Sequence, residues 1–367
     1  MTTQPGRVLL DGYWWVEGPP SNSTVQRELI RAWVRLYPHD DLVLVVPAAH
    51  VDVVRARPDL PERMTVVGAR LRPHGVAVVA EYRSIARRVG ATVAVTHNFT
   101  PHGIPTVVFL HDVLFQQHPE WFTRSERVYL QVVTTGLPRA ARVVTSSSHE
   151  AARIEQANPR VTGVLPIGIA PDPELLSTEP VRPSTLGDVD GFVLTVGRLN
   201  VRKNLGTAVA AALASGVVGP RMPLVIVGDP DGRDPGFGPE VHEAVAAGSV
   251  VFPGYVSNAE LAWLYGHATL FVFLSLDEGY GLPPVEALAF GTPVVASDIG
   301  VFRETIGGRA RLVDPADVTA AAEAIRHDVL NPHRVVGFAP LSWNDAANDL
   351  RRAVVGVVGD AQPGAGA

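Results

Sequence analysis

A chain of 367 residues exceeds what a single hydrophobic core serves, so two domains are the default reading. Its 46% hydrophobic and 19% charged residues exclude a disordered chain, and no run approaches the roughly 20 apolar residues of a membrane span. There is no cysteine, which excludes disulfides and thiolate metal sites, and the net charge of −6 carries no nucleic-acid footprint.

Charge is unevenly spread, at +4 over residues 1–170 and −10 over 171–367, so the halves are expected to meet different partners. The first half suits an anionic acceptor or a membrane surface. The start "MTTQPGRVLLDG" lacks a basic region followed by a long apolar core, so a cytoplasmic protein without a secretory signal is expected.

Five short apolar, β-branched runs come first: "RVLLDG" at 7–12, "LVLVVP" at 42–47, "ATVAVT" at 91–96, "PTVVFLH" at 105–111 and "ARVVTSS" at 141–147. A second series follows, with "GFVLTVG" at 191–197, "PLVIVGD" at 223–229, "SVVFPG" at 249–254, "LFVFLS" at 270–275 and "TPVVASD" at 292–298. Near-continuous apolar strands alternating with helical segments predict buried parallel sheets. The fold class read here is α/β, two Rossmann-like doubly wound domains spanning 1–170 and 171–342 and facing across a cleft. The Pro/Gly cluster "LPIGIAPDP" at 165–173 marks the boundary, and the tail "AQPGAGA" at 361–367 reads as disordered. Ligands of such sheets bind beyond the carboxyl ends of the strands.

The stretch "LSLDEGYGLPPVEALAFGTPVVASD" at 274–298 runs from a strand through a polar turn into a helix opened by Pro283 and Pro284. Backbone N–H groups there favour an anion. Glu278 and Glu286, spaced E-x7-E, suit sugar or ribose hydroxyls, which donate charge-assisted hydrogen bonds. The alternative for Glu286 is an exposed first-turn acid satisfying the helix dipole. "VGRLNVRKNL" at 196–205 holds Lys203, the sole lysine beside thirty arginines, and Arg198. A planar fork and a compact point charge on one strand-to-helix loop would stabilise a departing diphosphate.

With "LVIVGD" and "PGYVSNAELAWLYGHATLFVFLS", these motifs over about 190–330 resemble the retaining glycosyltransferases of family 4, which have the GT-B fold. The resemblance implies a nucleotide-sugar donor held by the C-terminal domain. Arg198 and Lys203 would bind the diphosphate, Glu286 the ribose and Glu278 the transferred sugar. Backbone amides of Gly279, Tyr280, Gly281 and Leu282 would approach the sugar and phosphate. It also implies that a helix at about 343–360 packs back on the first domain.

The first half resembles the family more loosely, through "VVFLHDVLFQQHPEWFTRSERVYLQ" at 107–131 and "ARVVTSSSHEAARI" at 142–154. His111 is its candidate for contact with the sugar, the alternative being a structural strand-end histidine. Asp112 is a weaker acceptor candidate, and His118 and His149 are read as structural. In "DGYWWVEGPPSNSTVQREL" only Gly18 stands where the family often has a glycine pair. Trp14 and Trp15 would line the acceptor site or pack in the core. Ser23 and Gln26 read as a capping box. Arg27, Arg31 and Arg35 form a stripe that would either meet an anionic membrane or face solvent.

No metal or other cofactor is expected: "DVD" at 188–190 precedes a strand, and "DPDGRD" at 229–234 misplaces its glycine for a calcium loop. The first strand leads into no G-x-G-x-x-G, which disfavours a dehydrogenase. The function read is transfer of a hexose, with mannose from GDP-mannose favoured over a deoxyhexose such as rhamnose, to a glycan, lipid-linked or small-molecule acceptor. The alternatives are a nucleotide-sugar epimerase and a non-catalytic sugar-nucleotide binder.

Overall fold

The structure, a computed structural model, describes residues 4–58, 60–61, 63–228 and 238–360. The "DPDGRD" segment and the "AQPGAGA" tail lie outside the described residues. Two compact units emerge. One holds the chain up to Gln117, Arg124–Ala170 and the part from Leu341 on; the other holds His118–Thr123 and Pro171–Pro340.

The first unit is built on β1 (Arg7–Asp11), β2 (Asp41–Pro47), β3 (Thr65–Ala69), β4 (Val93–His97), β5 (Thr106–Phe109), β6 (Arg142–Thr145) and β7 (Leu165–Pro166). All pair in parallel, in the order β3-β2-β1-β4-β5-β6-β7. The second unit carries β8 (Val193–Val196), β9 (Leu224–Val227), β10 (Val250–Val251), β11 (Leu270–Phe273), β12 (Val294–Ser297) and β13 (Arg311–Val313). These too are all parallel, in the order β10-β9-β8-β11-β12-β13. Each sheet reverses direction of growth beside its first strand, between β1 and β4 and between β8 and β11. Those switch points are where open α/β sheets leave a ligand crevice at their carboxyl edge.

Burial on both faces explains the Val/Leu/Ile content of the strands. In the second unit Val193, Leu224, Ile226, Leu270 and Val272 pack under the helices Leu205–Ala214 and Val318–Leu330, whose contact faces are rich in alanine. Small residues let those helices lie close on the sheet. The helix Trp343–Asp360 packs in the first unit against the helix Pro20–Leu36 and against β4, β5 and β6. Arg351 anchors it, clasping Asp40 through Nε (2.6 Å) and Nη2 (3.0 Å) with its guanidinium 4.0 Å over the Tyr37 ring.

One detail of the first helix differs from the expectations. It begins at Pro20 with Pro19 as N-cap, so Ser23 and Gln26 fall inside it and form no capping box. Proline pre-sets the helical φ at the first position and starts the helix early. In its arginine stripe Arg31 pairs with Glu28, and the exposed Arg35 donates to Asn344 Oδ1 at 2.7 Å. Among the described residues no helix is long and apolar enough to cross a membrane.

Candidate active site

In the first unit, ionisable residues stand at the carboxyl ends of the strands beside the switch point. Asp11 closes β1 and His97 closes β4, while His111 lies two residues beyond β5. Asp11 Oδ2 is 2.7 Å from His74 Nε2 and accepts the His97 backbone N–H at 3.2 Å. Its Oδ1 accepts from the Tyr82 hydroxyl at 2.7 Å and the Tyr13 N–H at 3.1 Å. Burial alone would raise this carboxyl, but His74, by charge and hydrogen bond, together with His97 and Tyr82, brings it down to about 2. His97 Nδ1 lies 3.1 Å from His111 Nε2. Burial pulls His97 down to about 4 and holds His111 well below the usual imidazole range, so both rings are neutral near pH 7.

Trp14 covers this cluster, its ring 5.0, 5.5 and 5.3 Å from those of His74, His97 and His111. Gly18 lets it sit there, since a Cβ at that position would lie 2.4 Å from the Trp14 ring. Trp15 is 2% exposed and belongs to the core, so it does not line an acceptor site. Asp112 turns inward on its own loop, where its Oδ1 accepts the Leu114 N–H at 3.2 Å.

In the second unit the loop after β8 meets the turn after β11. Asn200 caps a short 3-10 turn, Val201–Lys203, and Asn204 follows in the left-handed region, its amide donating to the Leu274 and Pro315 carbonyls. That turn drives Lys203 inward. Its Nζ donates to Glu278 Oε1 at 2.6 Å and sits 4.5 Å over the Phe273 ring, while Arg202 holds Glu278 Oε2. Lys203 and Glu278, assigned from the sequence to different parts of the donor, are therefore bonded to each other. Two strand-end glycines make the space. A Cβ on Gly197 would lie 3.1 Å from Lys203 Cε, and one on Gly228 would lie 1.8 Å from the Gly197 oxygen.

Lys203 is 8% and Glu278 6% exposed. Burial would raise Glu278, but Arg202 and Lys203 hold it at about 2. Burial brings Lys203 down to about 8 against the pull of Glu278, with repulsion from Arg202 and Arg198 adding to the drop. Arg198 is thus within electrostatic reach of the pair.

Beyond Glu278, Gly279 is part-buried, and Tyr280 is buried, its hydroxyl pushed up to about 12 by that burial. Gly281 is the N-cap of the helix Leu282–Ala289 at φ 85°. A Cβ there would lie 2.2 Å from Phe302 Cε1. Gly281→Ala is therefore expected to lower the thermal midpoint by several degrees. The left-handed conformation alone costs a non-glycine residue about 1–2 kcal/mol, and the contact adds overpacking. An unchanged midpoint would contradict this geometry.

Glu286 is part-buried in the second turn of that helix, not exposed in its first, and Oε2 accepts from the Tyr265 hydroxyl at 2.8 Å. Burial raises Glu286 to about 7; the Tyr265 bond opposes this and Asp172 adds to it. The Asp190 of "DVD" pairs with Arg221 on the surface. His118, with the Trp121 ring it stacks on, falls in the second unit, where its Nε2 is 3.4 Å from Asp277 Oδ2.

Residues 180–335 match the family model described as glycosyl transferases group 1, and the whole Lys203–Glu278–Glu286 site lies inside that match. The chain is 31% identical over 158 residues to the O-antigen chain mannosyltransferase B of Escherichia coli, covering 43% of this chain and 39% of that protein. It spans less than half the length of the first curated relatives it matches. A longer alignment, 25% identical, joins 83% of it to 97% of the lipopolysaccharide core biosynthesis mannosyltransferase LpsB of Rhizobium meliloti. Among solved structures it resembles the sucrose-phosphate synthase of Thermosynechococcus elongatus, with a TM-score of 0.65 at 18% identity over 97% of this chain and 100% of that one. The two parallel-sheet units are those of the GT-B fold.

The structure adds residues that the sequence reading passed over: Asp11, His74, Tyr82, His97, Arg202 and Tyr265. The strand-end group carried a signal, because "LLDG" and "VTHN" each end a strand on an ionisable residue and "FLHD" carries one two residues past a strand end. In a parallel sheet all such ends share one edge.

Proposed function

We propose that this protein is a glycosyltransferase that moves a hexose from a nucleotide diphosphate sugar to a glycan, lipid-linked or small-molecule acceptor, with retention and without a metal ion. The observation that carries this reading is the buried Lys203–Glu278–Arg202 cluster with Glu286 beside the β8/β11 switch point, inside the family match. Mannose is the favoured sugar and GDP-mannose the favoured donor, supported by the names of the two mannosyltransferase relatives.

As the C1–O bond to the diphosphate breaks, negative charge grows on the leaving oxygen, and Arg198, Arg202 and Lys203 are preorganised to meet it. The acceptor oxygen bonds to C1 on the same face, and its proton passes to the departing phosphate. No side-chain base is then required, which agrees with the weak basicity that burial gives His111. His111 is assigned to the transferred sugar as a neutral dipole, Glu286 to the ribose hydroxyls and Glu278 to a sugar hydroxyl. Trp14 is the residue of the first unit assigned to the acceptor. The protein is placed in the cytoplasm.

A thermal-shift panel of GDP-mannose, GDP, UDP-glucose and UDP tests the reading. A nucleotide at 100 times its Kd stabilises by about 2.7 kcal/mol. GDP-mannose and GDP are expected to raise the midpoint, and Arg198→Ala to reduce that rise. No shift with any of the four would overturn the assignment.

A further inference from the structure

The backbone of His111 is held without help from His97. Asn98, in the left-handed region at φ 63°, donates its N–H to the Phe109 carbonyl at 2.9 Å and accepts the His111 N–H on Oδ1 at 3.3 Å. On the other side the Leu110 carbonyl accepts from Thr145 Oγ1 at 2.8 Å, and Glu150 Oε1 accepts the Val113 N–H at 3.0 Å. The plane of the His111 ring is fixed by packing, with the Phe109 ring 4.7 Å and the Trp14 ring 5.3 Å away. What none of these contacts decides is which ring nitrogen carries the proton. The contact that decides it is His97 Nδ1, 3.1 Å from His111 Nε2.

We infer that His97 is a positioning residue that fixes the tautomer of His111: His111 Nε2–H donates to His97 Nδ1, leaving the lone pair of His111 Nδ1 as the acceptor available to a sugar hydroxyl. This deepens the sugar-contact role given to His111 above and rests on that reading. Between two neutral rings one nitrogen must donate and the other accept. The Nε2–H form is the commoner tautomer of free histidine, and this direction lets both rings adopt it. His97 is in turn immobilised, its N–H bound to the Asp11 carboxylate and its ring edge under Trp14. The charged and titratable groups around the pair are Asp11, His74 and Tyr82, and the Asp11 carboxylate, held ionised by its surroundings, also faces His74 and Tyr82. A hydrogen bond that selects a tautomer is a positioning device of the kind catalytic histidines use, and its loss costs rate without costing fold.

Two variants separate this role from packing. His97→Phe keeps a ring between Trp14 and Phe109 but has no ring nitrogen. His97→Asn places an amide group where Nδ1 stood and keeps an acceptor there. Long-range 1H–15N spectra of the full chain should show His111 as a single Nε2–H tautomer in the wild type and in His97→Asn, and a mixture in His97→Phe. With GDP-mannose as probe and release of GDP as readout, kcat should fall about 10- to 100-fold in His97→Phe, the range typical of lost outer-shell hydrogen bonds, with KM unchanged. His97→Asn should recover kcat to within a few-fold of wild type. An Nδ1–H form of His111 in the wild type, the same single tautomer in His97→Phe, or equal loss of kcat in both variants would overturn the inference. His111→Ala is measured alongside. Full turnover in that variant would defeat the sugar-contact reading, while the tautomer spectra would still report on the His97–His111 bond.

Discussion

Lys203→Ala is expected to lower sugar transfer by about 100- to 1,000-fold, the loss that follows removal of one preorganised group facing developing negative charge. Lys203 has one role in the structure and a second in the proposed transfer, and the two can be measured apart. It neutralises Glu278, a carboxylate only 6% exposed, and in the proposed reaction it meets, with Arg202 and Arg198, the charge that a diphosphate gains. Removing one partner of a buried pair costs about 3–5 kcal/mol, and the remaining bond from Arg202 puts this case at the low end. The double variant Lys203→Ala/Glu278→Gln removes both charges, so stability should return while transfer stays lost. Recovery of both together would make Lys203 a structural counter-ion and remove it from the transfer step.

Lys203→Arg should behave like the alanine variant in transfer. The ammonium sits 4.5 Å over Phe273, with Cε against Gly197 so closely that even a methyl group on that glycine would touch it. A guanidinium is larger and planar and does not fit that slot. Near wild-type transfer by the arginine variant would show that the lone lysine is not required by shape.

Much of this fold was readable because burial leaves a simple mark. All ten apolar runs read from the sequence correspond to strands, since a parallel strand covered on both faces has to be apolar along its length. The strands passed over were β3, β7 and β13, where the mark fades. β3 carries Gly68, β7 is the exposed pair Leu165–Pro166, and β13 opens on exposed Arg311. The donor-side motif was legible because its residues lie within two short loops of one unit. Arg202 was passed over for a geometric reason: in a 3-10 turn successive side chains point about 120° apart, so sequence does not tell that two adjacent cations both reach the Glu278 carboxylate. The Asp11 cluster was harder still. His74 and Tyr82 come from the helix His74–Val89, far along the chain from Asp11, and the fourth strand was read as ending at Thr96, one residue short of His97. The fold edge that gathers them exists only once β1 and β4 are paired.

Affinity for GDP is expected to rise about tenfold between pH 6 and pH 8, while the stability of the unliganded protein moves the other way. Both follow from Glu286, which burial raises to about 7. To accept hydrogen bonds from two ribose hydroxyls this carboxyl must be ionised, and at pH 6 a group titrating near 7 is about one-tenth ionised. Its stability contribution has the opposite sign. The folded pKa lies above the ordinary glutamate value of 4.5, so the folded protein binds the extra proton between those two values. That contribution is full below pH 4.5 and is lost as pH rises through 7. Relative to Glu286→Gln, the wild type should therefore lose roughly 3 kcal/mol over this window. The glutamine variant should also flatten the pH dependence of GDP binding. Tyr265→Phe supplies the finer check, because the Tyr265 hydroxyl, donating to Oε2 at 2.8 Å, opposes the rise in pKa. Without it the titration should move to higher pH, so that GDP binds weakly at pH 7 and regains affinity above pH 8. If GDP binding in that variant is equally weak at every pH, Tyr265 acts on the shape of the site and not on the charge of Glu286.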